Sequence, residues 1–134
     1  MVIDSSAIIA VLRQEPEARV FADAIASDRI RLVSAVSALE SAMVMESRYG
    51  SSGARELDAF LSTANIEIVP LNAEQFELRR SAWRRFGKGR DAAALNLGDC
   101  CSYALSAVSG EQLLAKGDDF RKTDARLVGW SLSH

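Results

Sequence analysis

Short apolar runs at residues 2–3, 30–33, 66–71, 112–115 and 127–130 alternate with segments of helical spacing, and this alternation constrains the fold more than any single residue does. Runs of that length suit buried strands, and the helices between them supply the crossovers that parallel neighbours need. Strands joined in this way form a sheet covered on both faces. The sequence therefore predicts an α/β fold, a three-layer α/β/α sandwich around a mostly parallel sheet of four to five strands. A chain of 134 residues has room for one domain, taken as 1–134, and shows neither an internal repeat nor a linker.

The helical segments are bounded by ordinary start and stop residues. Pro16 opens a helix over 17–27 in which Val20, Phe21, Ala24 and Ile25 share one face. A helix over 34–49 ends at Gly50, and another over 51–65 carries Leu57, Phe60 and Leu61 as its apolar stripe. A helix over 73–86 is closed by Gly87, and one beginning at Asn96 or Gly98 runs to about residue 108.

Four places put acids where chemistry can use them. Asp4 follows Val2 and Ile3 at the carboxyl end of the first strand, the edge at which open α/β sheets bind ligands. It could also serve as a helix N-cap, although Ser5 and Ser6 are able to do that in its place. Glu40 falls among Val36, Leu39, Met43 and Val44, the expected buried face of its helix, so it needs a partner or a cation. The alternative is a glutamate reaching out past the edge of that stripe or paired with an arginine. Asp99 sits in the first turn of its helix, where the dipole alone favours an acid. Lys116-Gly117-Asp118-Asp119 repeats the pattern of Asp4, a strand end followed by an acid, and Asp124 lies a few residues on. Gly-Asp-Asp is also good turn chemistry.

Composition excludes other chemistries. A formal net charge of −2 argues against a cationic coat over the whole surface, and the one histidine, His134, is placed on a solvated tail. A histidine general base or a structural zinc site has little support. Cys100 and Cys101 are adjacent, make no Cys-x-x-Cys pattern and are expected as reduced core residues. No apolar run approaches a membrane span, and no basic leader precedes the first strand, so the expectation is a cytoplasmic protein.

Carboxylates brought to one sheet edge without nitrogen or sulfur ligands suit a hard cation such as Mg2+ or Mn2+, which can align water against a phosphodiester. At this point the residues carry a resemblance. Val2-Ile3-Asp4-Ser5-Ser6-Ala7, Glu40 in a helix with a Ser-Ala-rich start, Leu95-Asn96-Leu97-Gly98-Asp99-Cys100, and residues 113–120 with Thr123-Asp124 resemble the PIN-domain ribonucleases of the VapC toxin family. The resemblance implies a PIN-like sandwich, Mg2+- or Mn2+-dependent endoribonuclease activity, and the toxin half of a bacterial VapBC toxin-antitoxin pair. It also implies a homodimer acting on RNA and neutralised by a VapB-type antitoxin, whose C-terminal segment lies across the acidic cleft.

By position, Asp4, Glu40 and Asp99 match the acidic triad, with Asp4 and Asp99 as the metal ligands and Ser6 as the hydroxyl that helps hold the site. Asp119 is expected as a fourth carboxylate, with Asp118 and Asp124 in support. Relatives often carry an acid where this chain has Gly117. Gly117 frees the backbone to turn, and Phe120 is placed to anchor the loop.

Residues 79–90 hold six cations and no acid, Arg79, Arg80, Arg84, Arg85, Lys88 and Arg90, interleaved with Trp83 and Phe86. Such a stretch can follow a phosphate backbone and stack unpaired bases, or it is a solvated face with Trp83 in the core. Two other classes stand beside the nuclease. One is a catalytically silent PIN-like nucleic-acid-binding or regulatory partner, against which the intact acids argue. The other is a phosphatase or receiver domain. Ser6 occupies the place of the second aspartate that a phosphatase would want, and the acidic pair of a receiver is missing.

Overall fold

The computed structural model describes residues 1–132, so His134 lies outside the described residues. The elements follow in the order β1 (Val2–Ile3), α1 (Ser5–Leu12), α2 (Ala18–Ser27), β2 (Leu32–Ser34), α3 (Ala35–Thr63), β3 (Glu67–Val69), α4 (Ala73–Phe86), α5 (Leu97–Ser109) and β4 (Leu113–Leu114), followed by a 3-10 turn, Asp119–Lys122. The four strands are ordered β3-β2-β1-β4 and every pairing is parallel. The α/β sandwich with a parallel sheet is therefore the observed architecture.

The fifth run, 127–130, does not form a strand. It contributes one bridge, Leu127 to Leu113, after which Trp130 turns inward, meeting Phe21 edge-on at 4.8 Å and donating its indole N–H to the Ala115 carbonyl. An aromatic contact over the core displaces further backbone pairing at this edge.

The sheet's pleat separates two cores, because successive side chains point to opposite faces. Ile3 and Leu114 join Ile8, Phe21, Ile25 and Leu57 on one side, whereas Val2 and Leu113 join Leu95, Cys100, Tyr103 and Phe120 on the other. Both cysteines are free and buried. The helices expected over 34–49 and 51–65 are a single element, α3, broken at Gly50, whose φ of 61° and ψ of −144° leave the helical region. Across that break Gly53 lies against the Met45 carbonyl so closely that a Cβ would stand 2.2 Å from its oxygen.

The face of α3 toward the interior is not the expected one. Leu39 is 60% and Met43 61% exposed, with Val44 also at the surface, while Ser37, Ala38, Ser41 and Met45 are buried. α3 packs on both α1 and α5. Small residues every four positions let the helices approach, and their hydroxyls find partners inside, so packing distance overrides side-chain hydrophobicity. Among the described residues no helix is long and apolar enough to cross a membrane.

Candidate active site

Asp4 leaves β1 at the sheet's carboxyl edge and is only 2% exposed. It does cap α1. Its Oδ2 accepts the Ser6 backbone N–H at 3.0 Å and the Ser6 hydroxyl at 2.7 Å, so Ser5 and Ser6 do not relieve it of the capping duty. Its Oδ1 accepts the Ser102 hydroxyl at 2.5 Å. The Ser6 Oγ in turn accepts the Lys116 backbone N–H at 3.0 Å, which ties the exit of β4 to the start of α1.

Asp99 belongs to a capping box at the head of α5. Its carboxylate accepts the Asn96 N–H at 3.1 Å while the Asn96 side chain accepts the Asp99 N–H at 2.9 Å. Burial pushes the Asp99 carboxyl up to about 6; the neighbouring charges of Asp4 and Asp119 act the same way, and the Asn96 N–H opposes them. Glu40 is raised too, by burial first and then by the charges of Asp4 and Asp99. Its Oε1 is buried without a hydrogen-bond partner.

What brings Glu40 to the other acids is Gly98. A Cβ at that position would stand 1.8 Å from the Glu40 Oε1. The obstacle is the end of a flexible side chain, so Gly98→Ala is expected to leave the fold intact and even to favour the helix by roughly 0.5–1 kcal/mol. Glu40 would be forced out of the pocket. Cleavage is expected to drop about tenfold or more at a melting temperature no lower than that of wild type, and wild-type turnover by a folded Gly98→Ala variant would show that Glu40's placement is unimportant.

Asp4, Ser6, Glu40, Asn96, Asp99 and Lys116 line one cavity of about 300 Å³. Glu15, paired with Lys116 at 2.7 Å, lines it as well, whereas Asp118, Asp119 and Asp124 lie outside it. Asp119 is exposed in the 3-10 turn and reaches Asp99 only through its charge, although Phe120 is buried and anchors the loop as expected. Asp118 pairs with Arg121 at 3.4 Å. Asp124, expected beside the site, is taken elsewhere: the Tyr103 hydroxyl and the Arg85 guanidinium both donate to it, the latter at 3.1 Å, and together they hold its carboxyl below the usual range.

The basic stretch divides. Arg79 is 5% exposed and bonds inward to the carbonyl and side chain of Gln75, with its Nε and Nη2 unpartnered, so it is not presented to a phosphate backbone. Arg85 is engaged by Asp124 and Tyr103. Arg80, Arg84, Lys88 and Arg90 stay exposed, as does Trp83, over whose ring Arg90 stacks at 4.6 Å. Trp83 therefore does not belong to the core.

Residues 1–126 match the PIN domain family. The chain belongs to the PIN-domain family. Over 128 residues this PIN domain is 51% identical to the Ribonuclease VapC of Mycolicibacterium smegmatis, covering 96% of this chain and 99% of that protein. It is 49% identical to Ribonuclease VapC30 of Mycobacterium tuberculosis, over 96% and 98% of the two chains. Among solved structures it superposes on Mycobacterium tuberculosis VapC20, described as a Sarcin-Ricin loop cleaving toxin, with a TM-score of 0.76 at 19% identity, covering 95% and 97% of the chains. VapBC2 from Rickettsia felis, bound to a promoter DNA fragment, gives a TM-score of 0.74 at 13% identity, over 97% and 98%.

The donor set of this PIN domain fits the hard cation that the family implies. Among the described residues no three acidic, histidine or cysteine side chains already close on one point. Mg2+ needs no such cage: it keeps several waters and binds through one or two carboxylates plus substrate phosphates. The buried, unpartnered Glu40 Oε1, and the burial and neighbouring acidic charge that lift Asp99 and Glu40, are what a bound cation would relieve. Gly98, Ser102 and Lys116 are members of this site that sequence reasoning passed over. A glycine directly before an acid at a helix start was the one visible signal.

Proposed function

We propose that this PIN domain is a Mg2+- or Mn2+-dependent endoribonuclease and the toxin of a toxin-antitoxin pair, acting in the cytoplasm. The observation that carries this reading is the acidic cavity itself, in which Asp4, Glu40 and Asp99 converge and one buried carboxylate oxygen lacks a partner. The names of the relatives, ribonucleases over nearly their whole length, support it.

Asp4 and Asp99 would hold the cation, which when bound would supply positive charge for a phosphate oxygen and a water. Ser6 and the Asn96 capping box fix the directions of those two carboxylates before substrate arrives. Glu40 has a raised proton affinity and a free Oε1, the pairing of properties a general base needs to take a proton from the attacking water. Asp119, exposed at the rim, adds negative charge to the cavity mouth.

For partners, the solved neighbours include a toxin-antitoxin complex from Klebsiella pneumoniae, with a TM-score of 0.71. The exposed Leu39, Met43 and Val44 beside the acidic cavity offer an apolar surface on which a VapB-type antitoxin could rest. Homodimerisation belongs to the same reading, supported by a second apolar groove in which Phe76, Trp83 and Leu97 are exposed. RNA reaches the cavity past Arg84, Lys88 and Arg90, which carry no carboxylate partner among the described residues, whereas Arg80 pairs with Glu77 at 3.5 Å.

One experiment tests the whole. Purified protein and RNA are combined with Mg2+, with Mn2+ and with excess chelator; cleavage should require the cation and vanish with chelator. In the same assay Arg84→Ala with Lys88→Ala should weaken RNA binding and flatten its salt dependence by roughly 0.7 per lost contact, leaving turnover at saturating RNA intact. Cleavage in chelator would remove the metal mechanism, and an unaltered salt slope would move the RNA path off α4.

A further inference from the structure

Behind Asp4 lies a chain of serines that no catalytic residue has yet accounted for. Ser34, Ser37 and Ser102 are each at most 1% exposed, and their hydroxyls are linked, Ser34 to Ser37 at 3.1 Å and Ser37 to Ser102 at 3.1 Å. The direction of the chain follows from counting protons. Each hydroxyl has one, and the Asp4 carboxylate accepts, so Ser102 spends its proton on the Asp4 Oδ1 at 2.5 Å. Ser102 must then accept from Ser37, and Ser37 from Ser34, whose own Oγ accepts the backbone N–H of Ser37 at 3.0 Å. Every hydroxyl therefore points toward the acid.

We propose that Ser102 is a positioning residue for Asp4, the last member of a buried hydroxyl relay, Ser34–Ser37–Ser102, that fixes the Oδ1 of that carboxylate for cation binding. The inference rests on the reading of Asp4 as a cation ligand. Hydrogen bonds aligned in series polarise one another, so the contact at Asp4 gains from the two behind it. Between Ser6 on Oδ2 and Ser102 on Oδ1 the carboxylate has no free rotation, yet among the described residues Oδ1 accepts only one hydrogen bond, which leaves it a lone pair for a cation.

The relay also joins the three elements that carry the acids. Ser34 ends β2 and caps α3, which bears Glu40; Ser102 lies one turn after Asp99 on α5; Asp4 ends β1. Their relative positions are thus set by the same bonds that aim Asp4.

Metal affinity, measured on the purified full chain by calorimetric titration with Mn2+, tests this without reference to turnover. Ser102→Ala is expected to bind Mn2+ about tenfold more weakly than wild type, the scale on which outer-shell partners act. Ser37→Ala should move it in the same direction by a smaller factor, since the Ser102 hydroxyl survives but is no longer held. Ser41→Ala is the control: Ser41 is equally buried, and its hydroxyl goes to the Ser37 carbonyl, outside the relay. Its affinity should equal wild type. Ser102→Ala binding Mn2+ as wild type does, or Ser41→Ala losing as much, would overturn the positioning assignment while leaving the metal reading in place. Failure of the wild type to bind Mn2+ would overturn both. If Ser102→Ala does not fold, Ser37→Ala decides, and undiminished affinity there counts against the relay.

Discussion

Asp4→Asn is expected to lower RNA cleavage by about 10²–10⁴-fold, the equivalent of several kcal/mol of lost charge stabilisation, while the protein stays folded. The two halves of this expectation have separate causes. Asparagine is as good an N-cap as aspartate, so α1 keeps its start and the Ser6 N–H keeps an acceptor. The amide nitrogen, however, brings protons to a position where Ser102 or Ser6 now donates. If it faces Ser102, that serine has to turn its own proton toward Ser37, and the hydroxyl chain reverses. Because hydroxyls can rotate, the reversal costs on the order of 1 kcal/mol or less. The lost charge cannot be recovered in this way. Single-turnover cleavage and a thermal melt on the same preparation check both parts, and a folded variant within about threefold of wild type would remove Asp4 from the cation site.

Asp4 was legible in the sequence because a buried apolar pair followed at once by an acid and two serines leaves few alternatives to a strand edge. Asp99 was legible from its place in the first turn of a helix, where the dipole favours an acid, and from the resemblance carried by the residues around it. The inward face of α3 was not. Hydrophobic periodicity selects Val36, Leu39, Met43 and Val44, but close helix packing selected Ser37, Ala38 and Ser41. The fates of Arg79 and Arg85 were hidden as well: the basic stretch reads as one surface until Gln75 draws Arg79 in and Asp124, distant in sequence, draws Arg85 across. Ser102 was invisible, and Gly98 showed only its place before an acid, because a small residue's importance depends on what faces it, and only the folded chain shows that.

The second large effect concerns stability against pH. The Asp99 carboxyl titrates at about 6 in the folded chain against 3.8 for the unperturbed group. Between those values the folded state binds more protons than the unfolded one, so stability falls as pH rises from about 4 through about 6 and then levels off. Glu40, raised by the same neighbours, acts in the same sense. Asp99 is only partly buried, so solvent screening reduces its cost to about 1–2 kcal/mol. Asp28 and Asp124 are lowered instead, and the stability they give is lost as pH falls through the acidic range. A comparison of Asp99→Asn with wild type isolates the site from that background. The two metal-free proteins should melt together near pH 4, and the variant should melt several degrees higher at pH 7, at about 3–6 °C per kcal/mol for a chain of this size. It should also be inactive. Added Mn2+ should raise wild type and close the gap, since a ligand bound only by the folded state stabilises it. Equal melting temperatures across the whole range would mean that the acids do not strain the fold.

The order β3-β2-β1-β4 has a consequence for when the protein acquires its chemistry during synthesis. β1 leaves the ribosome first, yet one of its neighbours, β4, is made more than a hundred residues later, and the donor to the Asp4 Oδ1 sits at Ser102. Contacts so distant along the chain cannot form until both partners exist, so β1 waits, unpaired on that side, until β4 has been made. A chain stopped short of Leu113 carries Asp4, Glu40 and Asp99 and lacks the strand that holds the first of them at the sheet edge. Such a fragment is expected neither to cleave RNA nor to resist protease. The growing polypeptide is thus expected to stay silent toward the RNA around it until β4 has been made.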